Sequence, residues 1–150
     1  LMKIIINKYL VVENVQNSLE NIKAAYKLYK TRPKYHFISA KKSLRYIDHI
    51  RFVKNNPYRK WFIIKLNEKF IGTIYFTKEN SIGYYILDKY IIHTKVIFIK
   101  LFNKIKPLPK KLSVNKVKFT INISPKNIKY QNIVKNIGGK IIQNTFIFNK

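Results

Sequence analysis

His49 is the side chain in this sequence best suited to moving a proton near neutral pH, because an imidazole titrates there without help. It stands in Asp48-His49-Ile50-Arg51-Phe52, at the border of the apolar face of a predicted helix, where a histidine can equally serve as packing. Arg51 has the geometry to hold a phosphate, and an ion pair on the helix surface would use it as well. Tyr84 and Tyr85 fall on a strand-like run and point to opposite faces, so one can line a cleft while the other packs. Carboxylates are scarce. Glu13, Glu20, Asp48, Glu68, Glu79 and Asp88 are all there are, and none is expected at the centre of a strand. With no cysteine, thiolate catalysis, Cys-based zinc sites and disulfides are excluded. His36 and His93 have no partner pattern, and three scattered histidines do not make a metal site.

The elements that must position these groups centre on Trp61 to Leu87. Trp61–Leu66, Phe70–Thr77 and Ser81–Leu87 read as three strands, rich in β-branched and aromatic residues. The breaks between them, Asn67–Lys69 and Lys78–Asn80, are too short for anything but antiparallel neighbours. Ahead of this meander, Lys3–Val12 holds one predicted strand. A first helix follows with Asn17 and Glu20 as a capping box, carrying Val15, Leu19, Ile22, Tyr26 and Tyr29 at helical spacing until Pro33. A second helix is expected from Ser43 to Asn55, with Tyr46, Ile47, Ile50 and Val53 on one face. After the meander a helix is expected over Ile91–Lys106. Val117, Phe119, Ile121 and Ile123 then alternate with polar residues as a half-buried strand. Ser124-Pro125 opens a last helix carrying Tyr130, Ile133, Val134 and Ile137, which Gly138-Gly139 closes. Lys140–Gln143 and Thr145–Phe148 read as two closing strands.

The 150 residues fit one domain, 1–150, with no repeat or linker inside it. The net charge is +25, yet only Arg32, Arg45, Arg51 and Arg59 are arginine among 31 basic residues. Lysine spread over every segment, together with abundant Ile, Asn, Tyr and Phe, fits A/T-rich coding better than a dedicated nucleic-acid surface, which favours arginine on one element. Such a field still attracts anionic ligands in a salt-sensitive way. Ile4–Ile6 is too short for the core of a signal peptide, and Tyr90–Phe102 is interrupted by His93, Lys95 and Lys100, so no membrane span is expected. A cytoplasmic protein is the expectation. Leu1 ahead of Met2 fits a fragment boundary or a cloning remnant.

The order strand, two helices, three-strand meander, helix, strand, helix, strand pair resembles the GNAT superfamily of acyl-CoA N-acyltransferases over nearly the whole chain. Phe70-Ile71-Gly72-Thr73-Ile74 and Ser81-Ile82-Gly83-Tyr84-Tyr85-Ile86 resemble that family's third and fourth strands. Asn122-Ile123-Ser124-Pro125-Lys126-Asn127, with Gly138 eleven positions beyond Asn127, is similar to the segment opening and closing its fourth helix. Phe37-Ile38-Ser39 and Asp48-His49-Ile50-Arg51-Phe52-Val53, leading into Trp61–Ile64, resemble the amino-sugar N-acetyltransferases of pseudaminic-acid-type pathways.

The resemblance implies an α+β fold with a mixed, mostly antiparallel sheet of about six or seven strands flanked by about four helices. It also implies acetyl-CoA as co-substrate, no metal, and a small primary amine, with a nucleotide-linked amino-sugar as the best-supported acceptor. Backbone N–H groups near Tyr85, Ile86 and Leu87 would meet the thioester, Asn122 and Asn127 the coenzyme A amides, and Arg51 and Tyr84 the acceptor. His49 is the implied base. The family's usual tyrosine on the fourth helix is replaced by Val134, so Tyr130 is the phenol implied to protonate the thiolate. Asp88–Thr94 departs from the family by lacking any glycine where the diphosphate is cradled, leaving Lys89 and Lys95 to assist. The rival expectation is a degenerate GNAT-like fold without cofactor binding, a binding module that uses its basic surface, for example on nucleic acid.

Overall fold

A computed structural model of the chain describes residues 2–34, 44–109 and 117–149. Six strands of the described residues form one sheet in sequence order: β1 (Lys3–Ile5), β2 (Leu10–Asn14), β3 (Lys60–Leu66), β4 (Lys69–Phe76), β5 (Ser81–Ile86) and β6 (Thr120–Ile121). Every pairing is antiparallel except β5 with β6, which is parallel. Among the described residues four helices accompany them: α1 (Leu19–Thr31), α2 (Tyr46–Lys54), α3 (Thr94–Lys104) and α4 (Ile128–Asn136). This is the expected α+β architecture.

The single strand expected over Lys3–Val12 is instead a hairpin. The Asn7 side chain accepts hydrogen bonds from the N–H groups of Tyr9 and Leu10 at 2.9 and 3.0 Å, which turns the chain and pairs Ile4 with Val12. Asparagine bonding its own backbone two or three residues on is a turn former, and Asn7-Lys8 between two apolar runs carried that signal. The helix cap likewise moves by one residue. Asn17 lies in a 3₁₀ turn, and Ser18, in extended backbone, accepts from the Asn21 N–H at 3.0 Å to open α1. The meander is as expected. Asn67 and Glu68, both at positive φ, make the two-residue turn whose twist suits a hairpin.

A bulge displaces the register of β3 on β4 between Ile64 and Lys65, so Ile71 joins the core on one side of the sheet while Phe70 packs on the other. One core, beneath α3 and α4, contains Phe62, Ile74, Tyr84, Ile86, Leu101 and Tyr130. The other, beneath α1 and α2, contains Ile22, Leu28, Val53, Ile63 and Tyr85. Glu13 and Lys65 form an ion pair of 2.9 Å there, with Asn21 donating to the same carboxylate at 3.2 Å.

Beyond the meander the chain winds as a 3₁₀ turn over Asp88–His93 before α3 begins at Thr94, three residues later than the helical spacing predicts. Asn80, at positive φ and 1 % exposed, clasps the loop after α3: its side chain donates to the Leu108 carbonyl at 2.8 Å and accepts from the Leu108 N–H at 2.7 Å. Its own carbonyl accepts from the Thr120 N–H at 2.9 Å, starting β6 beside β5.

The strand expected from the alternation at Val117–Ile123 is only two residues long, although Phe119, Ile121 and Ile123 do face the core. Alternation reports a buried face and not a partner, and β6 loses its partner after Ile121. The cap of α4 is Asn127 in place of Ser124-Pro125, which sit in the preceding turn. Gly138, at φ +107, ends the helix with Gly139, as expected. Lys140–Gln143 and Thr145–Phe148 are not strands: residues 140–149 are unpaired and exposed. Phe37–Ser39, His36, Ser43 and Lys116 lie outside the described residues.

Candidate active site

The site grows out of the phase of one ladder. Thr77 donates to the Ser81 carbonyl at 2.9 Å and Leu87 to the Ile71 carbonyl at 2.8 Å, so the odd-numbered residues of β5 bond to β4. Ile82, Tyr84 and Ile86 therefore turn their N–H and C=O groups toward β6. Only the first of them meets it, because the last parallel pair is Ile82 with Ile121. The two strands part there, and the Tyr84 peptide faces the resulting wedge.

At Ile86 a side chain takes the place of the missing strand. The Tyr130 hydroxyl, brought in by the first turn of α4, accepts from the Ile86 N–H at 2.9 Å and donates to the Ile86 carbonyl at 3.0 Å. Asn127 sets that turn by accepting from the Tyr130 N–H at 3.2 Å, and it is buried. Losing the cap in Asn127→Ala is expected to destabilise the fold by about 1 kcal/mol, read by chemical denaturation. Burial pushes the Tyr130 phenol well above its ordinary value, against the opposing bond to Ile86, so the group stays protonated throughout the physiological range. Tyr84 is raised in the same way. Its hydroxyl shares a 2.8 Å hydrogen bond with the Thr94 hydroxyl at the start of α3, and its ring lies edge-on to Phe98.

No protein-family model and no curated protein matches this chain by sequence. Solved structures are. An acetyltransferase of the GNAT family from Bacillus anthracis superposes with a TM-score of 0.62 at 18 % identity over 91 % of this chain and 82 % of that one. RimL, a ribosomal L7/L12 alpha-N-protein acetyltransferase in complex with coenzyme A, gives 0.64 at 12 % identity over 91 % and 83 %. The N-acetyltransferase PseH of Campylobacter jejuni gives 0.60 at 18 % identity over 91 % and 92 %. The chain has the GNAT fold.

Within that fold the predicted site residues divide into groups. Tyr84, Ile86, Asn127 and Tyr130 come together around the wedge, and Leu87 closes the β4 ladder beside them. Tyr85 points to the other face of the sheet, its hydroxyl 3.4 Å from that of Thr31 on α1. Asn122 is exposed, one residue beyond the end of β6. Arg51 lies on the outer surface of α2, its side chain 72 % exposed and 3.9 Å from Asp48, which Arg45 holds more tightly at 2.7 Å.

His49 is 3 % exposed and makes its contacts under α1 and α2. Its Nε2 is 3.0 Å from the Ile22 carbonyl, which can only accept, so that nitrogen carries the proton. The ring lies against Tyr26 and Trp61. Burial holds His49 below its ordinary value of 6.5, outweighing the bond to Ile22. The unfolded chain therefore binds a proton first as pH falls, and the stability owed to neutral His49 is complete above pH 6.5 and declines below it. The melting temperature is expected to drop as pH is lowered through 6.5, and His49→Gln to flatten that part of the profile.

Two contributions were not anticipated from sequence. Thr94 anchors Tyr84, and its place inside the helix expected from Ile91 gave no signal of that role. Tyr58 stacks on Tyr75 with ring centres 3.8 Å apart and planes 6° from parallel, on the sheet face shared with Tyr85. Gly83 makes room for that stack, since a Cβ there would run into the Tyr75 ring. Gly72 meets the more rigid obstacle, because a Cβ there would collide with the Tyr85 carbonyl oxygen, which is backbone. Both glycines were marked by the family resemblance, and their neighbours were not. Among the described residues no three His or carboxylate groups gather as a metal site would require, and no helix is long and apolar enough to cross a membrane.

Proposed function

We propose that this chain is an acetyl-CoA-dependent N-acetyltransferase that acylates a primary amine by direct transfer, with a nucleotide-linked amino-sugar as acceptor class. The observation that carries the reading is the parting of β5 from β6, with the Tyr84 peptide facing the wedge and the Tyr130 hydroxyl at Ile86. The residues suit a pantetheine arm. Such an arm needs peptide groups to bond along β5 and an apolar wall beside it, here supplied by Tyr84 and Phe98. The diphosphate would lie where α3 begins. Lys89 and Lys95 bring positive charge to that end, in place of the backbone cradle that glycines usually supply.

Acetyl-CoA, when bound, supplies an activated thioester. The chain's part is modest. Tyr130 holds its proton to high pH and gives it to the sulfur as the C–S bond breaks, and the proton that the nitrogen sheds as the C–N bond forms restores the phenol. The Ile86 N–H, once released from the Tyr130 oxygen, is the donor for the developing oxyanion. Access for the amine is from the opposite face, past Tyr85 and the Tyr58–Tyr75 stack, with Arg51 as an outlying phosphate anchor. His49, engaged with Ile22, acts as a positioning residue that holds α2 on α1.

Acetyl-CoA at about a hundred times its dissociation constant is expected to stabilise the fold by about 2.7 kcal/mol. For a chain of this size that raises the melting temperature by roughly 5 to 10 °C. No shift at millimolar cofactor would defeat the enzyme reading. The glycine-free turn over Asp88–His93, where Asp88 pairs with Lys129 at 3.2 Å, favours the rival binding module. Oligonucleotide affinity that survives physiological salt, together with an unchanged melt, is the result that would select it.

A further inference from the structure

The helix α3 is apolar on two sides. Ile97, Phe98 and Leu101 fill the core beneath it, while Ile92 in the turn before it, Val96 and Ile99 stand on its outer side at 82, 38 and 48 % exposed. Steps of four and three residues keep these three on one row. Among the described helices no other carries three exposed apolar side chains in such a row. A helix that is apolar all round calls for a cover on its second side as well.

The charge around that row has one sign. At about 100° per residue, Lys95 falls on one flank of the row and Lys100 and Lys104 on the other. Every carboxylate side chain of the sequence lies at or before Asp88, so α3, α4 and the segments between them carry lysine with no acid to offset it. Asp88 itself pairs with Lys129 at 3.2 Å, which brings the first turn of α4, with Ile128 exposed, beside the turn that holds Ile92.

These features select the cover. A second copy would set lysine against lysine, and one row on one helix falls short of the roughly 800 Å² per partner that a stable protein interface buries. A nucleic acid would engage the lysines and leave the isoleucines and the valine in water. A bilayer surface rich in acidic lipids uses both, because apolar side chains enter the headgroup boundary while lysines meet the negative potential, and no matching shape is required. We propose that the outer face of α3 docks this chain on an anionic membrane surface, with Ile92, Val96 and Ile99 inserted and Lys95, Lys100 and Lys104 on the lipid headgroups. The helix lies in the plane of the surface and does not cross it, and the docking does not depend on acyl transfer.

Flotation at physiological salt with vesicles of phosphatidylcholine containing about one-third phosphatidylserine should carry the natural chain upward, and vesicles of phosphatidylcholine alone should not. The combined variant Ile92→Ser, Val96→Ser and Ile99→Ser keeps the net charge of +25 and should bind the mixed vesicles about tenfold more weakly or worse. Ile47→Ser, at an exposed position of α2, should bind them as the natural chain does. Equal affinity of the combined variant would mean that charge alone holds the chain, and equal flotation with the neutral vesicles would mean that charge has no part; either overturns the proposal. A second reading keeps the rest of the row intact. Because the natural chain has no cysteine, Val96→Cys carries a single polarity-sensitive dye whose emission should shift to the blue on the mixed vesicles, while the same dye at Ile47→Cys should not shift. A dye at position 96 that stays in water on floated protein refutes the insertion. So does a dimer in light scattering that the combined variant dissolves, since the face would then be an interface between copies.

Discussion

Tyr130→Phe leaves a folded protein whose turnover falls by about 10²- to 10⁴-fold, the range that a positioned acid contributes. KM for acetyl-CoA should move much less, since the ring remains in the core beside Tyr84 and only the hydroxyl is lost. The substitution also removes both partners of the Ile86 peptide, a cost of about 1 to 3 kcal/mol for each buried group left unpaired. That penalty falls on the empty protein. A bound ligand that bonds to the same peptide would relieve it, so the cofactor-induced rise in melting temperature should be larger in the variant than in the natural chain. Steady-state kinetics with paired melts check both halves, and turnover within about threefold of the natural chain would remove Tyr130 from the chemistry.

Gly72→Ala is expected to be the most damaging single methyl in the sheet. The added Cβ meets the Tyr85 carbonyl oxygen and lies 3.0 Å from the Ile86 Cα, and both are backbone that cannot step aside without opening the β4–β5 ladder. Overpacking a tight site costs about 1 to 3 kcal/mol and sometimes more, and a rigid obstacle places this case at the upper end. The melting temperature should fall by roughly 6 to 12 °C. Gly83→Ala provides the comparison. Its obstacle is the Tyr75 ring, a side chain that can rotate, so the loss should be smaller unless the stack with Tyr58 is rigid.

The sequence was most legible where local chemistry and long-range pairing agree. The meander Trp61–Leu87 follows from β-branched runs separated by breaks too short for a crossover, and the structure keeps it with the Asn67-Glu68 turn in the backbone form that hairpins require. Helix ends were less legible. At Asn17-Ser18 and at Ser124…Asn127, two capable caps stand within three residues, and the choice between them depends on where the preceding strand or turn delivers the chain. Alternation at Val117–Ile123 reported a buried face correctly and said nothing about how soon β6 leaves β5.

For the candidate site, the family resemblance pointed to Tyr130 on α4, and its hydrogen-bond partner at Ile86 lies 44 positions away in sequence. The fate of His49 was open because an amphipathic pattern cannot say whether a border residue ends up beneath its neighbours. Packing against Tyr26 and Trp61 decided it. The glycines at 72 and 83 were visible as letters, and the collisions they avoid exist only once the strands are side by side.

Asn80 has one further consequence. Its side chain accepts the Leu108 N–H and its backbone carbonyl accepts the Thr120 N–H, two amides from different segments of the chain. Opening of that one turn therefore exposes both at once, and the pair should exchange with deuterium at a common rate set by a single local opening. Asn80→Asp, which can no longer donate to Leu108, is then expected to speed the exchange of both amides together, so that a side chain at the tip of a hairpin sets the breathing of a distant loop and of the sheet's parallel edge.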